Sequence, residues 1–317
     1  MTIALSGSIA FDYLMTFPGR FKDHILPDRL DRLSLSFLVD SLERRRGGIA
    51  ANIAYTLALL GEHPQVVGTV GEDFEDFRVW LESKGVDTTS IRTIPGQWTA
   101  SFFVTTDTIN SQIASFYTGA MSRAGELRLG ELEPRPSLVV ISANDPTAMI
   151  RHAEECLSLG IPYVYDPSQQ VVRMDPKTLA DGLGGCMAAF GNDYEFALIE
   201  EKTGLTPQAL VGHAAFVAVT LGEGGVDVYT RGTKVHVPSV PPLSLADPTG
   251  VGDAFRGGFL KGFVHGLRLE RCAQMGALAA TYCLEAKGTQ THSYDLPGFI
   301  RRFRDHFDDQ GELDHLT

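Results

Sequence analysis

The chain has 317 residues, of which 44% are hydrophobic and 21% charged, a globular balance that excludes a disordered polymer and leaves ample material for a large core. Lys and Arg number 27 against 39 Asp and Glu, a formal charge of −12, so a nonspecific electrostatic grip on nucleic acid or an anionic membrane is excluded. Any anion that binds must meet a local site.

Cys156, Cys186, Cys272 and Cys283 lack C-x-x-C pairing and metal-ligand spacing, and are read as reduced, buried thiols. The N-terminal apolar run is interrupted by Ser6, Gly7 and Asp12, with no basic region ahead of it, so no signal peptide is expected and the cytoplasm is the expected compartment. No uninterrupted apolar stretch is long enough for a membrane span.

In chain order, a strand-length apolar run at 2–6 leads into a segment without helical periodicity over 11–46. A helix is expected at 48–60, a strand at 65–70 and a helix at 73–84. Alternating runs follow at Ala100 to Thr105 and Gln112 to Tyr117, like the earlier run Ser34 to Val39. Strand and helix then alternate: 138–143, helix 146–159, 162–165, helix 194–203, 215–221, 226–230, and helices 252–266 and 269–286. This rhythm predicts an α/β fold with a central, mainly parallel sheet covered by helices on both faces. The expected large domain comprises 1–10, 47–96 and 119–317, and the segments 11–46 and 97–118 are expected to form a small inserted lid of antiparallel strands. Extension of one edge of the main sheet is the alternative for those segments. The cluster Glu43-Arg-Arg-Arg46 reads as a solvated face.

The stretch richest in chemistry is Asp247-Pro-Thr-Gly-Val-Gly-Asp-Ala-Phe-Arg-Gly-Gly258. Gly250 and Gly252 allow consecutive backbone N–H groups to turn toward one point, and a helix starting there adds its positive end, which makes an anion cradle of Gly250, Val251 and Gly252. Asp253 falls in the first helical turn, where its carboxylate can serve as a base beside that cradle. Taken alone, the same residues also suit an ordinary capped loop.

The whole pattern is similar to the C-terminal signature of the ribokinase-like, PfkB-type family of carbohydrate and nucleoside kinases. Other motifs in chain order support the resemblance. Ser6-Gly-Ser-Ile-Ala-Phe-Asp12 matches its first strand and turn, and Gly47-Gly-Ile-Ala-Ala-Asn52 its Gly-Gly helix start. Gly191-Asn-Asp-Tyr-Glu195 resembles its Asn-x-x-Glu motif, and Val219-Thr-Leu-Gly-Glu-Gly-Gly225 its nucleotide loop. No Gly-Lys dipeptide and no G-x-G-x-x-G is present, which excludes a P-loop and weakens a dinucleotide dehydrogenase.

The resemblance implies ATP and Mg2+, with Asn192, Thr220, Gly222 and Gly225 on the nucleotide and Glu195 acting on the metal through water. Glu195 would equally complete a helix capping box with Asn192. Family members often hold a monovalent cation such as K+ near the signature, and Pro248 and Val251 depart from the commonest form there. Ser34 to Phe37, Phe102, Ser115 to Met121 and Asp166-Pro-Ser-Gln-Gln170 resemble a bacterial adenosine kinase branch. That implies Ser8, Asp12, Gly48 and Asn52 on ribose, and Ser36, Phe37, Phe102 and Phe116 on the base, with Gln169, Gln170 and Arg173 beside them. It implies phosphorylation of adenosine at the ribose 5′-hydroxyl and a homodimer formed through the lid strands. A sugar kinase of the same fold and a noncatalytic nucleoside-binding protein are the rival readings.

Overall fold

The computed structural model describes residues 2–25 and 34–316. The elements in order are β1 (Ile3–Ser6), β2 (Ala10–Thr16), β3 (Ser41–Gly47), α1 (Ile49–Leu59), β4 (Gln65–Val70), α2 (Glu75–Ser83), β5 (Ile91–Thr93), β6 (Ala100–Thr106) and β7 (Gln112–Tyr117). They continue with β8 (Leu138–Ser142), α3 (Pro146–Leu159), β9 (Tyr163–Asp166), α4 (Pro176–Gly184), β10 (Ala188–Asn192), α5 (Asp193–Thr203), α6 (Pro207–Leu210) and β11 (Phe216–Thr220). The chain ends with β12 (Val226–Thr230), β13 (Thr233–Val237), α7 (Val251–Val264), α8 (Leu269–Leu284) and α9 (Leu296–Arg304).

A nine-stranded sheet runs in the order β13-β12-β11-β10-β9-β8-β1-β4-β5. Its strands β5, β4, β1, β8, β9, β10 and β11 pair in parallel, and only β12 and β13 join antiparallel at one edge. The middle strands are buried along their whole length, as the Leu138-Val-Val-Ile-Ser142 run of β8 requires when helices cover both faces. Two large apolar clusters occupy those faces. The expected mainly parallel sheet is therefore present, with β5, β10 and β13 added to the strands read from sequence.

A separate four-stranded sheet runs β3-β2-β6-β7. Its hairpin partners are antiparallel, but β2 and β6 pair in parallel, so the expectation of a purely antiparallel insert is corrected to a mixed sheet. The reason is that both β2 and β6 leave the large sheet in the same direction. The run Ser34 to Val39 is irregular, and its expected place as a strand is taken by Ser41–Gly47. Residues 26–33 of the predicted insert lie outside the described residues.

Three helices fix the site. Gly257 and Gly258 in α7 allow its neighbours to close on it: a Cβ at Gly257 would lie 2.6 Å from Thr56 of α1, and one at Gly258 would lie 2.6 Å from the Met275 carbonyl of α8. This close packing sets the start of α1 beside the start of α7.

Candidate active site

Asn52 is where the two helix starts meet. Its Nδ2 donates to Asp253 Oδ2 at 2.8 Å, and its Oδ1 accepts from Gln290 Nε2 at 2.9 Å. Trp80 Nε1 in turn donates to Gln290 Oε1 at 3.2 Å. The chain of donors fixes the amide orientation of Asn52, so its N–H points at the carboxylate. Gln290, in the loop after α8, carried no signal in the sequence because neither a motif nor a periodic element marks it.

Asp253 lies in the first turn of α7, which Gly250 caps in the left-handed region at φ 79°. Burial pushes the Asp253 carboxyl up to about 6, and Asp166 and Asp12 add to the rise, while Arg256 and the Asn52 donor oppose it. Asp12, on β2 of the small sheet, is likewise raised to about 6, first by burial and then by Asp247, against the pull of Arg45. Asp12 and Asp253 thus lie within electrostatic reach, although 241 positions separate them in sequence. A carboxyl held near 6 is ionised but still basic at neutral pH, the condition for accepting a proton from an alcohol.

Cross-strand register places Arg45, Asp12, Phe102 and Phe116 in one row across β3, β2, β6 and β7, so they share a face of the small sheet. That face turns toward α7: Arg45 Nη1 donates to Asp247 Oδ2 at 2.8 Å, and Lys287 Nζ donates to Glu43 Oε1 at 3.2 Å. The arginine run read as a solvated face is therefore partly engaged. Arg44 stacks 3.7 Å over Phe11, and Arg46 sits 4.7 Å over Trp80.

Ser8 and Gly48 join the same corner. Ser8 Oγ accepts from Ile49 N at 3.1 Å, leaving its own hydroxyl proton free to donate elsewhere. Gly48 takes φ 92°, and a Cβ there would lie 2.5 Å from the Ser8 carbonyl, so only glycine suits the turn.

The remaining predicted residues distribute as follows. Asn192 and Glu195 form the capping box of α5, with Asn192 N donating to Glu195 Oε2 at 2.8 Å and Glu195 N to Asn192 Oδ1 at 2.7 Å. Burial and nearby Asp166 raise the Glu195 carboxyl above its ordinary value, and Arg256 opposes them. Thr220 faces Asn192 across β11 and β10, and Gly222 and Gly225 continue that strand end at positive φ. Asp166, Asn192 and Thr220 all stand at the C-terminal ends of parallel strands, the edge where open α/β sheets bind ligands.

Five predicted base-side residues stand differently. Phe37 packs in an aromatic group with Phe17, Phe21 and His24, with the Phe17 ring 4.9 Å away, and Ser36 beside it is exposed. Gln170 is buried and donates its amide to the Asn144 carbonyl at 2.8 Å. Gln169 and Arg173 are exposed.

The sequence reading missed a role for Arg256 and Asp166. Arg256 Nη2 donates to Asp166 Oδ1 at 2.8 Å, Nε forms a second ion-pair contact with Oδ2, and both side chains are buried. Ser168 Oγ donates to Asp166 Oδ1 at 2.9 Å and fixes the carboxylate. Among the described residues no cluster of three or more His, Cys, Asp or Glu is built to cage a metal ion. One carboxylate beside the strand ends, Glu195, suits a hydrated magnesium, because that ion keeps several of its waters. All four cysteines are free and buried, as expected.

Similarity to known proteins decides the family. The pfkB family of carbohydrate kinases matches residues 10–295. The chain belongs to that family. Among the similar proteins is a nucleoside kinase from Methanothermobacter thermautotrophicus, 30% identical over 301 residues and covering 94% of both chains. The solved nucleoside kinase of Burkholderia thailandensis in complex with inosine is 33% identical over 96% of this chain and 98% of that one, with a TM-score of 0.87. An adenosine kinase from Sinorhizobium meliloti, 21% identical with a TM-score of 0.74 over 96% and 99%, shares the fold. The ribokinase-like α/β fold expected from the sequence is the fold of this PfkB-family kinase.

Proposed function

We propose that this kinase transfers the γ-phosphoryl group of ATP to the ribose 5′-hydroxyl of a purine nucleoside, with adenosine as the acceptor giving AMP and ADP. The observation that carries the reading is the Asn52–Asp253 hydrogen bond, which holds a carboxyl of raised proton affinity in the first turn of α7, within electrostatic reach of Asp12 on the other sheet. Nucleoside specificity is supported by the two nucleoside kinases described above, one of them holding inosine. It is supported also by the Phe102 and Phe116 rings in the row that carries Asp12, since an aromatic floor beside a diol acceptor suits a nucleoside better than a bare sugar.

In this mechanism Asp12 and Asn52 hold the ribose, with Ser8 and Gly48 below it. Asp253 takes the proton of the 5′-hydroxyl as that oxygen attacks the γ-phosphorus in line, and the bond to the ADP oxygen breaks. Amides at Gly250, Val251 and Gly252 meet the charge on the transferred group, because phosphoryl transfer rests mainly on positioning and electrostatics. Thr220, Gly222, Gly225 and Asn192 lie along the nucleotide. Magnesium, when bound, would supply charge neutralisation for the phosphates, and Glu195 is the residue that would hold it through water. The small sheet covers the nucleoside and excludes solvent, which limits wasteful ATP hydrolysis. Its outer face exposes Leu42, Phe103, Ile113 and Tyr117, and we assign that face to a second copy of the chain.

The test is a panel of adenosine, inosine, guanosine, ribose and fructose with ATP and magnesium, followed by ADP release and identification of the phosphorylated product. Adenosine 5′-phosphate is the expected product. A sugar turned over well while every nucleoside is ignored overturns the acceptor; activity on inosine alone overturns only adenosine.

A further inference from the structure

We propose that Arg256 is a catalytic cation of the phosphoryl transfer, presenting Nη1 to the group held by the amides of Gly250, Val251 and Gly252. This rests on the phosphotransferase reading above and not on the identity of the acceptor.

Three observations converge on it. First, Arg256 lies one helical turn after Gly252, and side chains on a helix lean toward its N-terminus, so the guanidinium is carried back over the cradle. Its Nη1 lies 2.8 Å from where a Cβ at position 252 would be, which places the nitrogen against the cradle backbone. Second, the fork is divided. Asp166 takes Nε and Nη2, and Ser168 locks Asp166, while no protein acceptor engages Nη1 among the described residues. A buried arginine built only as an ion-pair partner needs nothing more, yet here one of its nitrogens is held open beside the anion site. Third, Arg256 acts electrostatically on both Asp253 and Glu195, so it lies within reach of the proton acceptor and of the residue assigned to the metal side. On the phosphotransferase reading, the group in transit passes close to both.

The charge count around the site gives the physical reason. Asp12, Asp166, Glu195, Asp247 and Asp253 interact across this region. Such a surface repels a triphosphate unless a fixed cation answers it. Arg45 is spent on Asp247 and Glu43 at the small-sheet side. Arg256 is the remaining guanidinium in the interacting group, and Asp166 fixes its orientation before substrate arrives, so no reorganisation is needed at the moment of transfer.

The experiment compares wild type, R256K, R256Q and the double variant R256Q/D166N on whichever acceptor the wild type uses, with thermal unfolding recorded for each. R256Q alone leaves Asp166 buried without its partner and is expected to lower the unfolding temperature. The double variant removes both charges and is expected to regain it. If Arg256 acts on the phosphoryl group, kcat stays down by roughly 10²–10³-fold in the folded double variant while the acceptor KM changes less than about threefold. R256K, which keeps the charge but loses the fork, is expected between the two. Recovery of kcat in the double variant, or R256Q turnover within about fivefold of wild type, overturns the role and leaves Arg256 structural. A wild type inert toward the whole panel overturns the phosphotransferase reading itself, a result distinct from either.

Discussion

Asn52 Nδ2 and Asp253 Oδ2 are 2.8 Å apart across two helices whose sequences lie 201 positions from one another. The amide is a donor to the ionised form of the carboxylate, so it holds down a proton affinity that burial raises. Replacing Asn52 with Ala removes that donor and leaves Gln290 without an acceptor. The acid limb of the kcat profile, expected near pH 6 because the base works only when deprotonated, is then expected to move to higher pH. A pH-rate series on both proteins checks it; a limb that stays in place or moves down contradicts the contact's role.

Asp253→Asn keeps the shape and the hydrogen-bonding reach of the side chain but cannot take a proton. Turnover is expected to fall by about 10²–10⁴-fold, the range for a lost general base, while nucleoside affinity measured by calorimetry stays close to wild type. Near-normal turnover would remove Asp253 from the mechanism.

Arg45 stands beside Asp12 in the small sheet and reaches Asp247 ahead of the cradle. Arg45→Ala removes the cation that holds the Asp12 proton affinity down and frees the small sheet from the signature loop. The acceptor KM is expected to rise about tenfold with a smaller change in kcat, because ground-state holding is lost more than transition-state charge stabilisation. Equal losses in kcat and kcat/KM would place Arg45 in the chemistry instead.

Asp12 also makes a stability prediction. Its carboxyl titrates at 3.8 in an ordinary setting and at about 6 in the folded protein, so the folded state binds the proton more tightly than the unfolded chain. Stability of the free enzyme is therefore lost as pH rises from about 4 through about 6. Asp12→Asn abolishes that loss: its unfolding temperature is expected to exceed that of the wild type at pH 7.5 and to match it near pH 4. Equal melting curves at pH 7.5 would contradict the burial of the charge.

Gly48→Ala imposes a side chain on φ 92° and against the Ser8 carbonyl. A cost of at least about 1–3 kcal/mol is expected from backbone strain alone, read as a lower denaturation midpoint.

Much of this was legible in the chain because the informative residues are local. A Gly-x-Gly-Asp stretch marks its own helix start, where α7 begins, and the buried runs of β1, β4, β8 and β11 are continuous enough to read as parallel strands. β10 escaped because Ala188-Ala-Phe-Gly-Asn192 lacks branched residues and takes its pairing from neighbours on both sides. β13 escaped because Thr233-Lys-Val-His-Val237 is an edge strand with mostly exposed side chains. β3 was hidden by its arginines, which find aromatic rings and Asp247 only after the fold has formed. α4 carries Gly182 and Gly184, which weaken any helical signal, while the Asp295 cap and Pro297 that open α9 are a helix-start signal in the sequence. Gln290 and the Asp166–Arg256 pair belong to tertiary structure, since each acquires meaning only from a partner at least 90 positions away.

The row Arg45, Asp12, Phe102, Phe116 belongs to one sheet, and the strand ends at Asp166, Asn192 and Thr220 belong to the other. On the proposed reading, what is to be phosphorylated and what does the phosphorylating would be read by separate scaffolds joined at a glycine corner. Substitutions confined to the smaller scaffold are then expected to retarget the enzyme without disturbing its engine, which makes that row the place to begin redesigning the acceptor.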